Sequence, residues 1–409
     1  MSLFNINFLS GEKLAEALKM VGADMRSLPF FDNRREVKAL YISNADIRAA
    51  NVIKQEMLAR GGDAAVSRFA VDCRAEKSDI ILFGTKKQLA FLADKIEAMS
   101  WWNFPQIASE IRQALNGMAS GKYSIKLPCG AEIEFGRKTM VMGIINLTDD
   151  SFYSTSRTGS DSRATVERAV KFAAEGADIL DLGAESTRPG SSRVPEEEEI
   201  SRIADAVKNI RKTLPQIPLS IDTTRASVAR AALDAGADII NDISGLTYEP
   251  EVARAAADYG AMLVLMHMRG TPETMQSMCD YENSNILQSI TDFFDKGIET
   301  AASNGLERAK IILDPGLGFA KNYNQNLFLM QNLRAFDTFG LPILIGASRK
   351  GTVGKATGAD KAEDRLEGTL AITSLCAWHD IDIVRVHDVK ENKKTVMMIE
   401  AIKNAGIFG

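Results

Sequence analysis

The chain has 409 residues, with 49 Lys and Arg against 54 Asp and Glu for a net charge of -5. That length predicts one large domain plus a smaller one, and the acidic balance argues against a general nucleic-acid binder while leaving room for a local basic pocket. The four cysteines, Cys73, Cys129, Cys279 and Cys376, form no close pair, which argues against a zinc knuckle or a disulfide framework.

Residues 1–121 read as a small α/β domain. Helical spacing over 10–20 puts Leu14, Leu18 and Val21 on one side. A strand is expected over 39–42 and a helix over 47–60, capped from Asn44 to Asp46 and ended by Gly61 and Gly62. A second strand is expected over 79–84, leading into a helix to about Met99. Gly84-Thr85-Lys86-Lys87 sits at that turn; it reads as an ordinary capped helix more than as an anion loop. Trp101, Trp102 and Phe104 are expected to pack this domain or to mark a partner surface.

A boundary falls near residues 117–121, and residues 122–409 form the second domain. It opens with a hairpin, 123–127 and 132–135, turning at Pro128-Cys-Gly130 and expected to lie across the bottom of the rest of that domain. Eight apolar runs then recur with helical segments between them: 140–145, 179–182, 217–221, 239–240, 262–266, 311–313, 343–345 and 381–386. They are continuous more than alternating, as in strands buried on both faces. Gly176, Gly236 and Gly260 each stand between a helix and the next strand, as C-caps. The fold class is α/β, a (β/α)8 TIM barrel preceded by the small domain. An open doubly wound sheet is the alternative; the dinucleotide glycine fingerprint after its first strand is missing.

Chemistry in such a barrel sits at the carboxyl ends of the strands. The run ends supply Asn146, then Asp181, Glu185, Thr187 and Arg188, then Asp222, Thr223 and Arg225. Asn241 and Asp242, His267 and Arg269, Asp314, Ser348 to Lys350, and Arg385 to Asp388 come after them. Arg188, Lys350, Arg385 and His387 can converge as cations and donors on a group such as pyrophosphate. Asp222, Asn241 and Asp314 suit the N–H, amino and carbonyl groups of a flat heterocycle. Met266 can wall such a ring. Asn146 is a neutral oxygen donor able to ligate Mg²⁺, whereas three histidines without HxH or HxxxH spacing argue against a transition metal. Plainer roles stay open: a turn at Asp314-Pro-Gly316, a helix cap at Asp222, a backbone hydrogen bond at His387.

Met142-Gly-Ile-Ile-Asn146, Asp181-Leu-Gly-Ala-Glu-Ser-Thr-Arg-Pro-Gly190, Ser220-Ile-Asp-Thr223, Asn241-Asp-Ile-Ser-Gly245 and Leu265-Met-His-Met-Arg-Gly-Thr-Pro272 stand in this order along the chain. Asp314-Pro-Gly-Leu-Gly-Phe319, Ser348-Arg-Lys350 and Arg385-Val-His-Asp388 complete the series. Together they resemble dihydropteroate synthase, a family of pterin-binding enzymes, in a longer form with an extra N-terminal domain. The resemblance implies condensation of 6-hydroxymethyl-7,8-dihydropterin diphosphate with 4-aminobenzoate to 7,8-dihydropteroate and pyrophosphate. It implies catalytic roles for Asp222, Asp314, Lys350, Arg385 and His387, and a pterin site of Asp222, Asn241, Met266, Asp314, Lys350 and Arg385. Pyrophosphate would meet Asn146, Thr187, Arg188, Arg385 and His387, with Mg²⁺ at Asn146. Aminobenzoate would meet Phe152, Arg188, Pro189, Lys350, Gly351 and Thr352.

The resemblance also implies a homodimer, the cysteine usage a reducing cytoplasm, and the acidic balance and lack of long apolar runs a protein with neither nucleic-acid nor membrane partners. No basic segment followed by an apolar core opens the chain, and no apolar run nears the roughly 18 residues that span a bilayer. The first loop departs from the family pattern: Asp149 stands where proline usually follows Thr148, and Ser154 where many relatives carry a carboxylate. A methyltetrahydrofolate:corrinoid methyltransferase and a non-catalytic pterin-binding paralogue are the alternatives.

Overall fold

A computed structural model describes residues 37–117, 123–136, 138–147, 160–184, 194–271, 274–281 and 285–405. The helix expected over 10–20 lies outside these. Described residues fall into two compact units, one holding 37–117 and the other nearly all of 123–404.

The first unit runs β1 (Lys38–Asp46), α1 (Ile47–Ala59), β2 (Asp63–Val66), β3 (Lys77–Gly84), α2 (Lys86–Glu97) and α3 (Phe104–Gly117). Its strands pair antiparallel in the order β1-β3-β2. Strict alternation in β3 turns Ser78, Ile80 and Leu82 inward. They join Ile53 and Met57 of α1, Leu89 and Leu92 of α2, and Ile107 and Ile111 of α3 in one core, with Ser78 alone polar. The cap expected near residue 46 is Asp46, whose side chain accepts from Arg48 N. Thr85 and Gln88 form a reciprocal capping box, and Lys86 and Lys87 face solvent, so that turn is a capped helix. Trp102 packs against the unit's own core and Trp101 stays exposed. β2 and α3 were not expected from the sequence.

The second unit opens with a hairpin, β4 (Tyr123–Lys126) and β5 (Glu132–Phe135). The barrel alternates β6 (Met140–Asn146), α4 (Ser160–Ala174), β7 (Ile179–Gly183), α5 (Glu196–Thr213), β8 (Leu219–Asp222), α6 (Ala226–Asp234), β9 (Ile239–Asp242) and α7 (Glu251–Tyr259). It continues with β10 (Met262–Met266), α8 (Ile286–Ser303), β11 (Ile311–Asp314), α9 (Tyr323–Gln331) and β12 (Leu344–Ile345). Two helices, α10 (Gly351–Thr357) and α11 (Leu366–Trp378), precede β13 (Ile383–Val386), and α12 (Val389–Asn404) ends the unit. The eight barrel strands pair in parallel from β11 round to β12, and a parallel bridge between Leu313 and Ile343 closes the ring. The three expected C-cap glycines, Gly176, Gly236 and Gly260, all have positive φ.

The hairpin plugs the amino ends of the strands. Leu127, Ile133 and Phe135 pack on Met140, Ile179, Ile239, Met262, Leu344 and Ile383, the first residues of six barrel strands. Aspartates just before strands staple this end. Asp178 accepts from Val141 N at 2.9 Å and from Lys393 Nζ at 2.7 Å. Asp238 accepts from Leu219 N at 3.0 Å, Cys129 N at 2.9 Å and Arg211 Nη2 at 2.6 Å. Asp382 accepts from Ile343 N at 2.9 Å and Gly136 N at 3.1 Å. Each carboxylate satisfies strand-end or hairpin amides that would otherwise be unpaired at a buried edge.

Candidate active site

The opposite end of the barrel gathers polar groups. Register sets them at matching heights: Asp222 lies opposite Gly183 and Asn241, and Asp314 opposite Met266. Arg385, the penultimate residue of β13, reaches into the ring. Its Nε donates to Asp181 Oδ2 at 2.6 Å and its Nη2 to Asp222 Oδ2 at 2.7 Å. Asp181 is fully buried, taking a 2.6 Å hydrogen bond from Ser220 Oγ and longer contacts of 3.3 and 3.4 Å from Asn241 Nδ2. One guanidinium is thereby fixed between two carboxylates, with planar donor geometry that a lysine lacks.

Asp314 and Lys350 close the other side. A Cβ built on Gly346, just past β12, would lie 3.9 Å from Arg385 Cβ and 4.0 Å from both Asp314 Oδ2 and Lys350 Nζ. That glycine therefore marks where the three side chains converge. Asp314 accepts from Gly316 N at 2.7 Å, so the expected turn is present and coexists with the site. Gly316 has φ +68°, and a Cβ there would meet His267 O at 2.0 Å, so only glycine fits. Lys350 Nζ donates to Leu317 O and lies 4.7 Å from the centre of the Phe319 ring. Met266 is buried beside Ile243 and Met268, with Tyr248 and Phe319 against them, forming an apolar wall.

The cup perturbs its ionisable groups. Burial raises the Asp222 carboxyl above the ordinary range against the pull of Arg385, and the Asp181 carboxylate adds to the rise. Burial likewise raises Asp314, against Lys350. Burial pushes the Lys350 ammonium down to about 8 despite Asp314. His387 is pushed down to about 4 by burial, with Arg349 and Arg385 adding to the fall. Of the two roles open to it from the sequence, cation or donor, His387 at neutral pH is a neutral donor. Its Nδ1 lies 3.0 Å from Ser348 Oγ. With that hydroxyl as donor, Nε2 carries the proton and can donate outward.

Not every polar strand end serves the cup. Asp242 is consumed by Ser244 and Leu246 N in its own loop. Arg225 and Thr223 bind the buried carboxylate of Glu199. Arg349 pairs with Asp388. These are loop braces, and the expectation that all eight ends supply the site is narrowed accordingly. Asn146 ends β6 opposite Gly183 and is exposed. Gly351 and Thr352 open α10, directly after Lys350. Phe152, Thr187, Arg188 and Pro189 lie outside the described residues, as do Asp149 and Ser154.

Residues 142–387 match a family model described as pterin binding enzyme. Over 277 residues the chain is 41% identical to the dihydropteroate synthase of Synechocystis, covering 68% of this chain and 94% of that protein. This chain belongs to the dihydropteroate synthase family of pterin-binding enzymes. Within that family, a Clostridium difficile dihydropteroate synthase crystallised in the presence of pteroic acid is 40% identical, with a TM-score of 0.61 over 66% of this chain and 98% of that one. A probable bifunctional folylpolyglutamate synthase/dihydropteroate synthase of Haloferax volcanii is 35% identical over 386 residues. That match covers 92% of this chain and 44% of the relative, so the likeness extends well beyond the barrel.

Two buried residues of the site were given no role from the sequence. Asp181 was visible as a strand end; its pairing with Arg385, 204 positions away, was not. Lys321 follows Phe319 and Ala320 past the motif and carries no spacing signal, yet it is buried against His267.

Proposed function

We propose that the barrel condenses 6-hydroxymethyl-7,8-dihydropterin diphosphate with 4-aminobenzoate, giving 7,8-dihydropteroate and pyrophosphate. The observation that carries this is the guanidinium of Arg385 held between Asp181 and Asp222, beside Asn241, Asp314 and Lys350. Asp222, Asn241 and Asp314 bind the N–H and amino edge of the pterin, Lys350 donates to its acceptors, and Met266 packs on its face. Arg385 lies against the ring and reaches the diphosphate with His387. Thr187 and Arg188 complete the anion site; Phe152, Arg188, Pro189, Lys350, Gly351 and Thr352 take the aminobenzoate.

The C–O bond to the diphosphate breaks first, its electron pair leaving with the diphosphate oxygen. The electron-rich dihydropterin stabilises the exocyclic carbon cation, and the Asp222 and Asp314 carboxyls lie where they can favour it electrostatically. Arg385 and neutral His387 donate to the departing anion. The arylamine nitrogen, already neutral at pH 7, forms the C–N bond and then releases a proton to solvent. No strong base is needed for that step.

Among the described residues no group of three or more His, Cys, Asp or Glu side chains is placed to hold a metal. Asn146 is a single neutral oxygen donor at the rim, a set that suits Mg²⁺ brought in with a diphosphate and still largely hydrated. Asn146 would hold that ion, which neutralises diphosphate charge when bound. A cytoplasmic homodimer completes the reading. In its support, the cysteines Cys73, Cys129, Cys279 and Cys376 are all free. Leu375, Trp378, Met397, Met398 and Ile402 are exposed on α11 and α12, and among the described residues no helix is long and apolar enough to cross a membrane. The test of the reaction is pyrophosphate release: it should require both substrates together, and release without the arylamine, or none with both, would overturn the assignment.

A further inference from the structure

The loop that follows Asp314 is braced from several sides. Gly318 N donates to Asn326 Oδ1 at 2.7 Å, Tyr281 Oη to Ala320 O at 2.9 Å, and Asn326 Nδ2 to Lys321 O at 3.0 Å. At its centre Lys321 is only 3% exposed. Lysine is almost never buried without partners for its charge. Its Nζ lies 2.8 Å from His267 Nδ1, 2.9 Å from Phe319 O and 3.5 Å from His267 O. Burial and the neighbouring ammonium hold the His267 imidazole well below its usual range, so it is neutral and its Nδ1 accepts. Lys321 thus ties the end of β10 to the loop after β11.

The same loop carries both groups that hold Lys350: the Leu317 carbonyl and the Phe319 ring. The charged and titratable groups facing Lys321 are His267 and Arg269 past β10, Asp314 at the end of β11, Cys279 ahead of α8, and Lys350 past β12. Asp314 feels both lysines. Burial pushes the Lys321 ammonium down to about 7, with Lys350 adding to the fall and Asp314 opposing it, so Lys321 holds its place by hydrogen bonds more than by charge.

We propose that Lys321 is a positioning residue for the condensation, bridging His267 to Phe319 so that the loop presents Lys350 Nζ to the pterin. This rests on the assignment of Lys350 to the dihydropterin. Lys321→Gln keeps donors for His267 and Phe319 and removes the charge, whereas Lys321→Met removes both. The full chain is assayed with dihydropterin diphosphate and 4-aminobenzoate, each varied in turn at neutral pH. Lys321→Met should raise KM for the pterin substrate about tenfold while leaving KM for the arylamine unchanged, and Lys321→Gln, which keeps donors on a shorter arm, should raise the pterin KM by less. Adding His267→Leu to Lys321→Met should cost little more, since both remove one bridge. A lowered melting temperature with an unchanged pterin KM in Lys321→Met would overturn the proposal, and an unchanged pterin KM in Lys321→Gln decides the matter in the same sense if Lys321→Met does not fold. Calorimetric binding of dihydropterin diphosphate to the unaltered protein separates the two readings: binding with an unchanged pterin KM in the variants sinks only the role of Lys321, while no binding sinks the functional assignment and this role together.

Discussion

The two ends of the barrel use the same residue differently. At the amino end, Asp178, Asp238 and Asp382 spend their oxygens on backbone N–H groups, helped at Asp178 and Asp238 by a lysine or arginine. At the carboxyl end, Asp181 and Asp222 take side-chain donors, above all Arg385. Carboxylates saturated by the main chain have no capacity left for a ligand. Those held by a guanidinium keep their shape while retaining oxygens for exchange with a substrate. The division matches the general rule that barrel chemistry gathers at the carboxyl ends and stability at the amino ends.

The contrast can be broken most severely at Arg385. Arg385→Ala leaves Asp181 and Asp222 buried without their cation and removes the group we propose pterin and diphosphate share. A loss in kcat/KM of roughly 10³-fold, about 4 kcal/mol, is expected from steady-state assays. An unchanged value would show that Arg385 serves packing alone. Asp238→Ala should do the opposite: cost about 3 kcal/mol in denaturant unfolding by taking the carboxylate from Arg211 and the acceptor from two strand or hairpin amides, with kcat/KM per folded molecule unchanged.

Smaller effects sharpen the comparison through pH. Lys350 is a cation below its value of about 8 and neutral above it. Pterin binding that uses its donors is retained below that pH and lost as pH rises through it, so kcat/KM should fall about tenfold per unit beyond. Lys350→Arg should abolish that fall. His387 is lowered from 6.5 to about 4 in the fold. Its contribution to stability is complete above about 6.5 and is lost as pH falls toward 4, because the unfolded chain takes up the proton first. The melting temperature should drop across that window, and His387→Asn should flatten the drop. The smallest effect expected lies in the first unit: Thr85→Ala removes one half of a capping box and should cost about 1 kcal/mol.

Much of the barrel and its cup was legible in the residues alone. Apolar runs as short as Ile239 and Ile240 proved to be barrel strands, because burial on both faces leaves an unmistakable β-branched core. The convergence of Asp222, Asn241, Asp314, Lys350 and Arg385 followed from strand ends being neighbours once the barrel closes. Three things escaped. The helix α3 begins at Phe104-Pro105 after two tryptophans, a start that looks like a loop although proline is tolerated in a first turn. The strand β2 is too short and alanine-rich to announce itself. The division of strand-end residues between cup and loop brace, as with Asp181 against Asp242, depends on χ angles and long-range partners that spacing does not encode.

The most direct test of the cup is calorimetric titration with 6-hydroxymethyl-7,8-dihydropterin diphosphate of the full chain, Asp222→Ala and Asp238→Ala. Binding should vanish in Asp222→Ala and keep its affinity in Asp238→Ala, despite that variant's lower melting temperature. Equal affinity in all three proteins would place the ligand elsewhere and contradict the account.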